Sequence, residues 1–305
     1  MSASTTVKAT SAVGGPSGPG GRRGGRQPSP WTSRTVVHAM LGIAALYSLL
    51  PLVWLVTSST KSLGDFSTTS ALEFADWNLP ANLQALFSEA DGVFVAWARN
   101  SVLYAGVGAV LGALICTACG YAVAKLDFPG RRTLFAVTLT GVLVPTTALA
   151  LPLYLMASEL RLVDTFWAVF LPLLTNPFGV YLARVYAEAA VPDEVLEAAR
   201  IDGSGELKTF FRVALPMMRP GFVTIILFQF VQIWNNFFLP LVMLTDPRLF
   251  PLSLGLYQWS TRVSQFPQYN PLVVTGSLLA VFPIIVAFLV LQRQWRSGLT
   301  AGSVK

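Results

Sequence analysis

The sequence predicts an all-α membrane protein with six transmembrane helices and both termini in the cytoplasm. Three observations carry this. Only 12% of its 305 residues are charged and 53% are apolar, about half the charge content of a soluble domain. Six apolar stretches are each long enough for a helix to cross a hydrocarbon core, which takes about 20 residues. Lysine and arginine are also divided unevenly between the two sides that those crossings define.

The expected spans are roughly Val36–Thr57, Ser101–Ala124, Thr133–Met156, Thr165–Ala187, Gly221–Leu244 and Leu272–Leu291. Pro145, Pro152, Pro172, Pro177 and Pro283 lie inside them. Membrane helices tolerate proline where neighbouring groups satisfy the carbonyls it frees. Ahead of the first span, residues 1–33 are rich in Ser, Thr, Gly and Pro and are basic without an acid. Such a composition predicts a disordered tail. The first apolar run is longer than a signal-peptide core of about 7–15 residues, so it is expected to remain as a span.

One side carries Lys8, Arg22, Arg23, Arg26 and Arg34, then Lys125, Arg131 and Arg132. It also carries Arg184, Arg200, Lys208, Arg212 and Arg219, then Arg293, Arg296 and Lys305. The other side has Lys61, Arg99, Arg161, Arg248 and Arg262. The positive-inside rule places the first set, with both termini, in the cytoplasm. The second span repeats a small residue every four positions, Gly108, Gly112, Cys116 and Gly120, so another helix can approach it closely. Cys116 and Cys119 are read as part of that packing rather than as a redox pair, and His38 as an interfacial or packed residue. Outside, residues 58–97 and roughly 245–271 form loops with Trp77, Tyr257, Trp259 and Tyr269. These aromatics suit either an outer partner or a membrane-interface belt.

The long cytoplasmic loop, 188–216, reads as two short helices around a turn. Pro192 suits a first helical position, and Asp193 and Glu194 complement the helix dipole. Gly203 can adopt the left-handed conformation that ends a helix. Ser204 would cap a second segment, Gly205–Arg212, which Leu215-Pro216 stops. The small residues Ala198, Ala199 and Gly203 would let a partner close on the backbone. A solvated surface hairpin is the alternative.

In the fifth span Gln229, Gln232 and Asn236 share a helix face, with Trp234 and Asn235 beside them. Amides at that depth face the bundle or a wet cavity. They suit either a path for a neutral polyhydroxyl substrate or interhelical hydrogen bonding. No acid or base lies in the middle of a span. An ion-coupled secondary transporter for a neutral polar solute, the alternative class, would need one. There is no Gly-Lys dipeptide, hence no P-loop of the form G-x-x-x-x-G-K-[ST].

Residues 191–220, VPDEVLEAARIDGSGELKTFFRVALPMMRP, resemble the EAA loop of permease subunits of ATP-binding-cassette importers. Asn100-Ser101, the segment Trp234–Leu241 and the tail from Ser297 to Lys305 resemble the carbohydrate-uptake branch, in particular its maltose-type permease. The resemblance covers about residues 34–305. It implies a type I importer architecture: a tail 1–33, a permease domain 34–297 containing the coupling loop, and a C-terminal tail 298–305. It further implies pairing with a second homologous permease and with two cytoplasmic ATPase subunits that bind ATP and Mg. An extracellular solute-binding protein would deliver the sugar. Glu197, Ala198, Ala199, Asp202, Gly203, Leu215 and Pro216 map onto the ATPase-coupling positions. The chain itself would hold no catalytic residue, cofactor, metal or nucleic acid.

Overall fold

The structure is a computed structural model that describes residues 30–300, with side chains for residues 34–292. The chain divides into two units, residues up to Leu50 and Pro51–Lys305, each described by itself. The described part of the first unit belongs to helix α1, Pro30–Ser59. Val36, Met40, Ile43, Leu46 and Tyr47 are exposed on it, and its apolar residues lie all round, as on a membrane span. Residues 30–33 are already helical; the rest of the expected tail 1–33 lies outside the described residues, as do 301–305 of the expected C-terminal tail.

The second unit contains α2 (Leu79–Ser88) and α3, which runs through Val93–Val102, a π-helical turn Leu103–Val107 and Gly108–Lys125. Then follow α4 (Arg131–Leu143), α5 (Ala150–Glu159), α6 (Phe166–Leu173) and α7 (Pro177–Ala190). After the polar loop come α8 (Asp193–Ile201) and α9 (Glu206–Met217), then α10 (Arg219–Trp234) and α11 (Phe238–Met243). Last are α12 (Leu252–Ser260) and α13 (Tyr269–Thr300). α13 runs through Ser297 to Thr300, so the expected tail 298–305 begins as helix.

Among the described residues, four helices are long and apolar enough to cross a membrane: Arg34–Ser59, Leu79–Lys125, Phe166–Ala190 and Tyr269–Gln292. A bent pair, α9 with α10, meets at 84° and makes a fifth if taken as one span. The expected third span is not one helix. It breaks between α4 and α5, where Val144 is extended (ψ 121°) ahead of Pro145. A proline forces its predecessor out of the helical region. The expected fifth span likewise stops at Trp234 and resumes as α11.

The small-residue stripe of α3 determines how these helices meet. A Cβ on Gly120 would lie 2.6 Å from the backbone nitrogen of Arg184 and 2.8 Å from the carbonyl carbon of Ala183. A Cβ on Gly112 would overlap Gln229 Nε2 and lie 3.1 Å from the Leu174 oxygen. α7 therefore approaches α3 at backbone distance, and α10 lays the Gln229 side chain against Gly112. Cys116 is buried in this contact against Gly179.

The opposite end is closed by a second core. The Trp97 ring packs over Gly255 with its centre 4.5 Å from that of Trp259 and the two planes tilted by 59°, and its Nε1 donates to the Pro247 carbonyl (2.8 Å). Asn100 Nδ2 donates to the carbonyls of Arg248 (2.7 Å) and Phe250 (3.1 Å), and Ser101 Oγ accepts from Leu252 N (2.7 Å) at the start of α12. Asn100-Ser101 thus fixes the loop before α12. Nearby, Lys61 is buried with its Nζ on the Ser70 carbonyl (2.7 Å), and Asn82 Nδ2 donates to the carbonyls of Ser59 and Lys61.

Asp164 clasps the turn before α6 to the segment after α11. Its φ is +59°, a left-handed conformation that Asp adopts more readily than most side chains because its short carboxylate can bond nearby backbone. Its own N–H donates to the Met243 carbonyl (2.9 Å). Its carboxylate accepts from Thr245 N (2.8 Å), Thr245 Oγ1 (2.8 Å) and Asp246 N (2.9 Å). The backbone N–H groups of Asp246 and Thr245, then the Thr245 hydroxyl, hold its pKa below the ordinary 3.8. A depressed folded-state pKa contributes stability that is complete above the unfolded value and is lost as pH falls through the folded one. Asp164→Asn is expected to lower thermal stability at neutral pH by about 1–2 kcal/mol. In melts of the detergent-solubilised protein, the difference from wild type should shrink below about pH 4.

Candidate functional site: the polar hairpin and the amide cluster

The hairpin begins where Pro192 (φ −65°, ψ 144°) stands as N-cap of α8, one position earlier than expected, with Asp193 and Glu194 in the first turn. α8 ends in a Schellman motif. Gly203 has φ +74°, its N–H reaches the Arg200 carbonyl (3.0 Å), and Ser204 N reaches the Ala199 carbonyl (2.9 Å). The N-cap of α9 is Gly205, not Ser204, whose Oγ instead accepts from Thr209 Oγ1 (3.1 Å). Leu215-Pro216 does not stop the second arm. A π-helical turn over Phe210–Ala214 precedes it and the helix continues to Met217. A wider turn changes which carbonyl faces the proline. The arm ends at Met218, which is fully buried.

One face of the hairpin is packed. Leu196, Phe210, Ala214 and Met218 join Tyr121, Ala187 and Val191 in a single apolar cluster, with the Tyr121 and Phe210 rings 5.3 Å apart. Lys125, at the end of α3 and only 9% exposed, pairs with Asp193 at 2.8 Å. Arg200 joins Glu206 across the turn at 3.0 Å. The other face is bare. Glu197, Ala198, Asp202, Gly203 and Pro216 are exposed, and Ala199 and Leu215 half-buried. Ile201 and Leu207 stand 86% and 78% exposed beside them. Sequence reasoning passed over these two, although apolar residues in a short polar insert have little to bury against and were themselves a signal. It also passed over Lys125 and Tyr121, which only the fold brings to the hairpin.

The amide cluster forms where α6 gives way to α7. In an unbroken helix the Leu173 carbonyl would accept from the N–H of residue 177, but that residue is Pro177 and has none. Gln229 Nε2 supplies the donor (2.8 Å). Asn176 caps α7 through Oδ1 on Gly179 N (3.0 Å) and donates to Oε1 of both Gln229 and Gln232 (3.1 Å each). The same device recurs further along. The Asn236 carbonyl stands four residues before Pro240 and accepts from Ser253 Oγ (2.8 Å).

The structure divides the five expected substrate-path residues. Gln229 is buried inside the cluster, and Trp234 is buried with Nε1 on the Ala280 carbonyl (3.1 Å). Gln232 is exposed at an otherwise apolar groove lined by Phe228, Val231, Ile284 and Phe288. Asn235 is exposed with its amide on the Val231 carbonyl (2.8 Å), and Asn236 is half-buried. Asn176 and Ser253 were missed. The Asn-Pro pair at a helix start was the available signal for the first; nothing local marks the second. Among the described residues, no group of three or more His, Cys, Asp or Glu is placed to hold a metal ion.

Residues 115–297 match the family of binding-protein-dependent transport system inner membrane components. The arabinooligosaccharides transport system permease protein of Halalkalibacterium halodurans is 34% identical over 271 residues, covering 89% of this chain and 95% of that protein. The lactose transport system permease protein of Rhizobium radiobacter is 29% identical, covering 88% and 96%. In fold, the chain resembles one in the crystal structure of a bacterial ABC transporter involved in the import of the acidic polysaccharide alginate. The TM-score is 0.75 at 23% identity, over 88% of this chain and 98% of that one. This chain belongs to the binding-protein-dependent transport system inner membrane components, and it is a membrane permease.

Gln229→Leu would leave the Leu173 carbonyl and an Asn176 N–H without a partner among apolar helices. Single hydrogen bonds between membrane helices average about 0.6 kcal/mol. Orphaning two groups at once should cost about 1–2 kcal/mol, read as a lower unfolding midpoint in detergent. Gln232→Leu, at the exposed end of the cluster, should cost less than half as much by the same measurement.

Proposed function

We propose that this chain is a transmembrane permease subunit of an ATP-driven importer for sugars, working by alternating access. In this reading six spans cross the membrane with both termini in the cytoplasm, the tail 1–33 precedes a permease domain 34–297, and 298–305 form the C-terminal tail. The proposed partners are a second homologous permease, two ATPase subunits that bind ATP and Mg, and an extracellular solute-binding protein. The chain carries no cofactor and catalyses no reaction itself.

The observation that carries the reading is the two-faced hairpin. Its inner face is built into the ends of α3 and α7 through Leu196, Phe210 and the Lys125–Asp193 pair. Its outer face presents Glu197, Gly203 and the bare Ile201 and Leu207, a mixed apolar and charged surface suited to a protein partner. The sugar assignment is supported by the relatives, permeases of arabinooligosaccharide and lactose transport systems, and by the neutral amides of Gln232, Asn235 and Asn236. Gln229 and Trp234 act in this reading by holding that helix face in place.

A Cβ on Gly203 would meet no atom within 4 Å among the described residues. Gly203→Val therefore adds local backbone strain but no internal clash. Gly203→Val and Glu197→Arg should abolish uptake of radiolabelled sugar and weaken ATPase copurification, with membrane insertion unchanged. Normal uptake in both variants would refute the reading. So would uptake that persists without ATP and collapses with the proton gradient.

The Lys125–Asp193 pair makes a second test. Lys125→Asp or Asp193→Lys alone should cut uptake at least fivefold, a typical lower bound for a coupling energy, while ATP hydrolysis falls less. The exchanged double variant should recover most of the loss. Additive losses in the double variant would show that the pair does not couple the hairpin to α3.

A further inference from the structure

The end of α3, the start of α4 and the middle of α7 border a hollow of about 190 Å³ lined by Arg131, Arg132, Arg184, Val123 and Phe135. It adjoins a shallower surface formed by Asp127–Thr133, which shares Arg131 and Arg132. Two of the guanidiniums are held in place. Arg184 Nε pairs with Glu188 (2.8 Å), and its guanidinium carbon lies 3.9 Å from the centre of the Phe135 ring. Arg131 Nη1 bonds Asp127 (2.9 Å) and the Leu126 carbonyl (3.1 Å). Arg132 has no ion-pair partner among the described residues. Each guanidinium has five N–H donors, so the held arginines keep donors in reserve.

The field at this place is positive beyond the side chains. α4 begins at Arg131 behind Gly130, with no side-chain cap and no acid in its first turn. The helix N-terminus, which ordinarily attracts acids, adds its dipole to the arginines. The apolar run of α4 starts directly after them. α4 has no buried residue, and Leu134 and Val137 are exposed on it. A charged hollow thus sits on top of an apolar helix surface, the arrangement of a phosphate headgroup above its acyl chains. A soluble anion would need the hollow and not the surface below it.

We infer that this hollow binds the phosphate of an anionic phospholipid, with Arg132 as the free cation and Arg131 and Arg184 as the fixed walls. Phe135 and Val123 pack against the headgroup's apolar base. The inference rests on the membrane placement of α4 and not on the cargo.

The test is native mass spectrometry of the purified assembly, stripped of lipid in detergent and titrated with phosphatidylglycerol or phosphatidylethanolamine of the same acyl chains. Phosphatidylglycerol should be retained at about tenfold lower concentration, one charge-assisted contact's worth of preference. Arg132→Glu should abolish that preference, and Arg262→Glu, the same charge change on a distant loop, should leave it intact. Should Arg132→Glu fail to insert, Arg132→Gln reports the same loss. Equal retention of the two lipids, or a preference that survives at Arg132, would overturn the inference. Inorganic phosphate that displaces the lipid at comparable concentration would also overturn it, by marking a soluble-anion site. None of these readouts involves sugar or ATP, so failure here leaves the transport reading standing, and failure of sugar uptake leaves this one standing.

Discussion

A carbonyl oxygen in hydrocarbon has no water to fall back on, and a proline four residues ahead removes its only helical donor. The middle of this protein is organised around that constraint. Pro177 frees the Leu173 carbonyl, and the side chain of Gln229 crosses from α10 to meet it. Pro240 faces the Asn236 carbonyl, and Ser253 crosses from α12. The chain can therefore break its helices at these points without leaving buried polar groups unpaired. The crossing side chains then fix which helices stand side by side. Gln229 reaches Leu173 only because Gly112 leaves room for its amide, so the small-residue stripe and the breaks are parts of one solution.

The two ends of the bundle follow from that middle. With α7 and α10 seated on α3, one end closes over Trp97, Trp259 and the Asn100–Ser101 contacts. The other end gathers Tyr121, Val191, Leu196 and Phe210 under the hairpin. One end is bound by backbone-directed hydrogen bonds from side chains. The other is an apolar seat with the Lys125–Asp193 pair at its margin, and the hairpin's outward face leaves Glu197, Ile201 and Leu207 exposed.

Much of this was legible in the chain. Apolar length gave the positions of the long helices, and the Gly203 turn could be read from one residue in its local setting, because a left-handed C′ position favours glycine. The break of the third stretch into α4 and α5 was not legible from hydropathy, which averages over Pro145 and Pro152 alike. Only the first stands at the break, while Pro152 lies within α5. The amide face of α10 was visible as a face, but periodicity does not say which members turn inward. Gln229 and Gln232 are one turn apart and end in opposite environments because only Gln229 lies opposite a glycine and a proline-freed carbonyl. Lys125 and Asp193 are 68 residues apart, beyond the reach of any local pattern.

The elbow at Met218 has a mechanical consequence. The second arm of the hairpin meets α10 at 84°, and the corner residue is fully enclosed. An enclosed corner resists sliding more than it resists turning, because sliding would pull Met218 out of its apolar seat. If the proposed ATPase partners push on the arm, the turn is passed to the far end of α10, where Gln232, Asn235 and Asn236 stand. In the proposed transport cycle this corner would serve as a bell crank, with Met218 as its pivot.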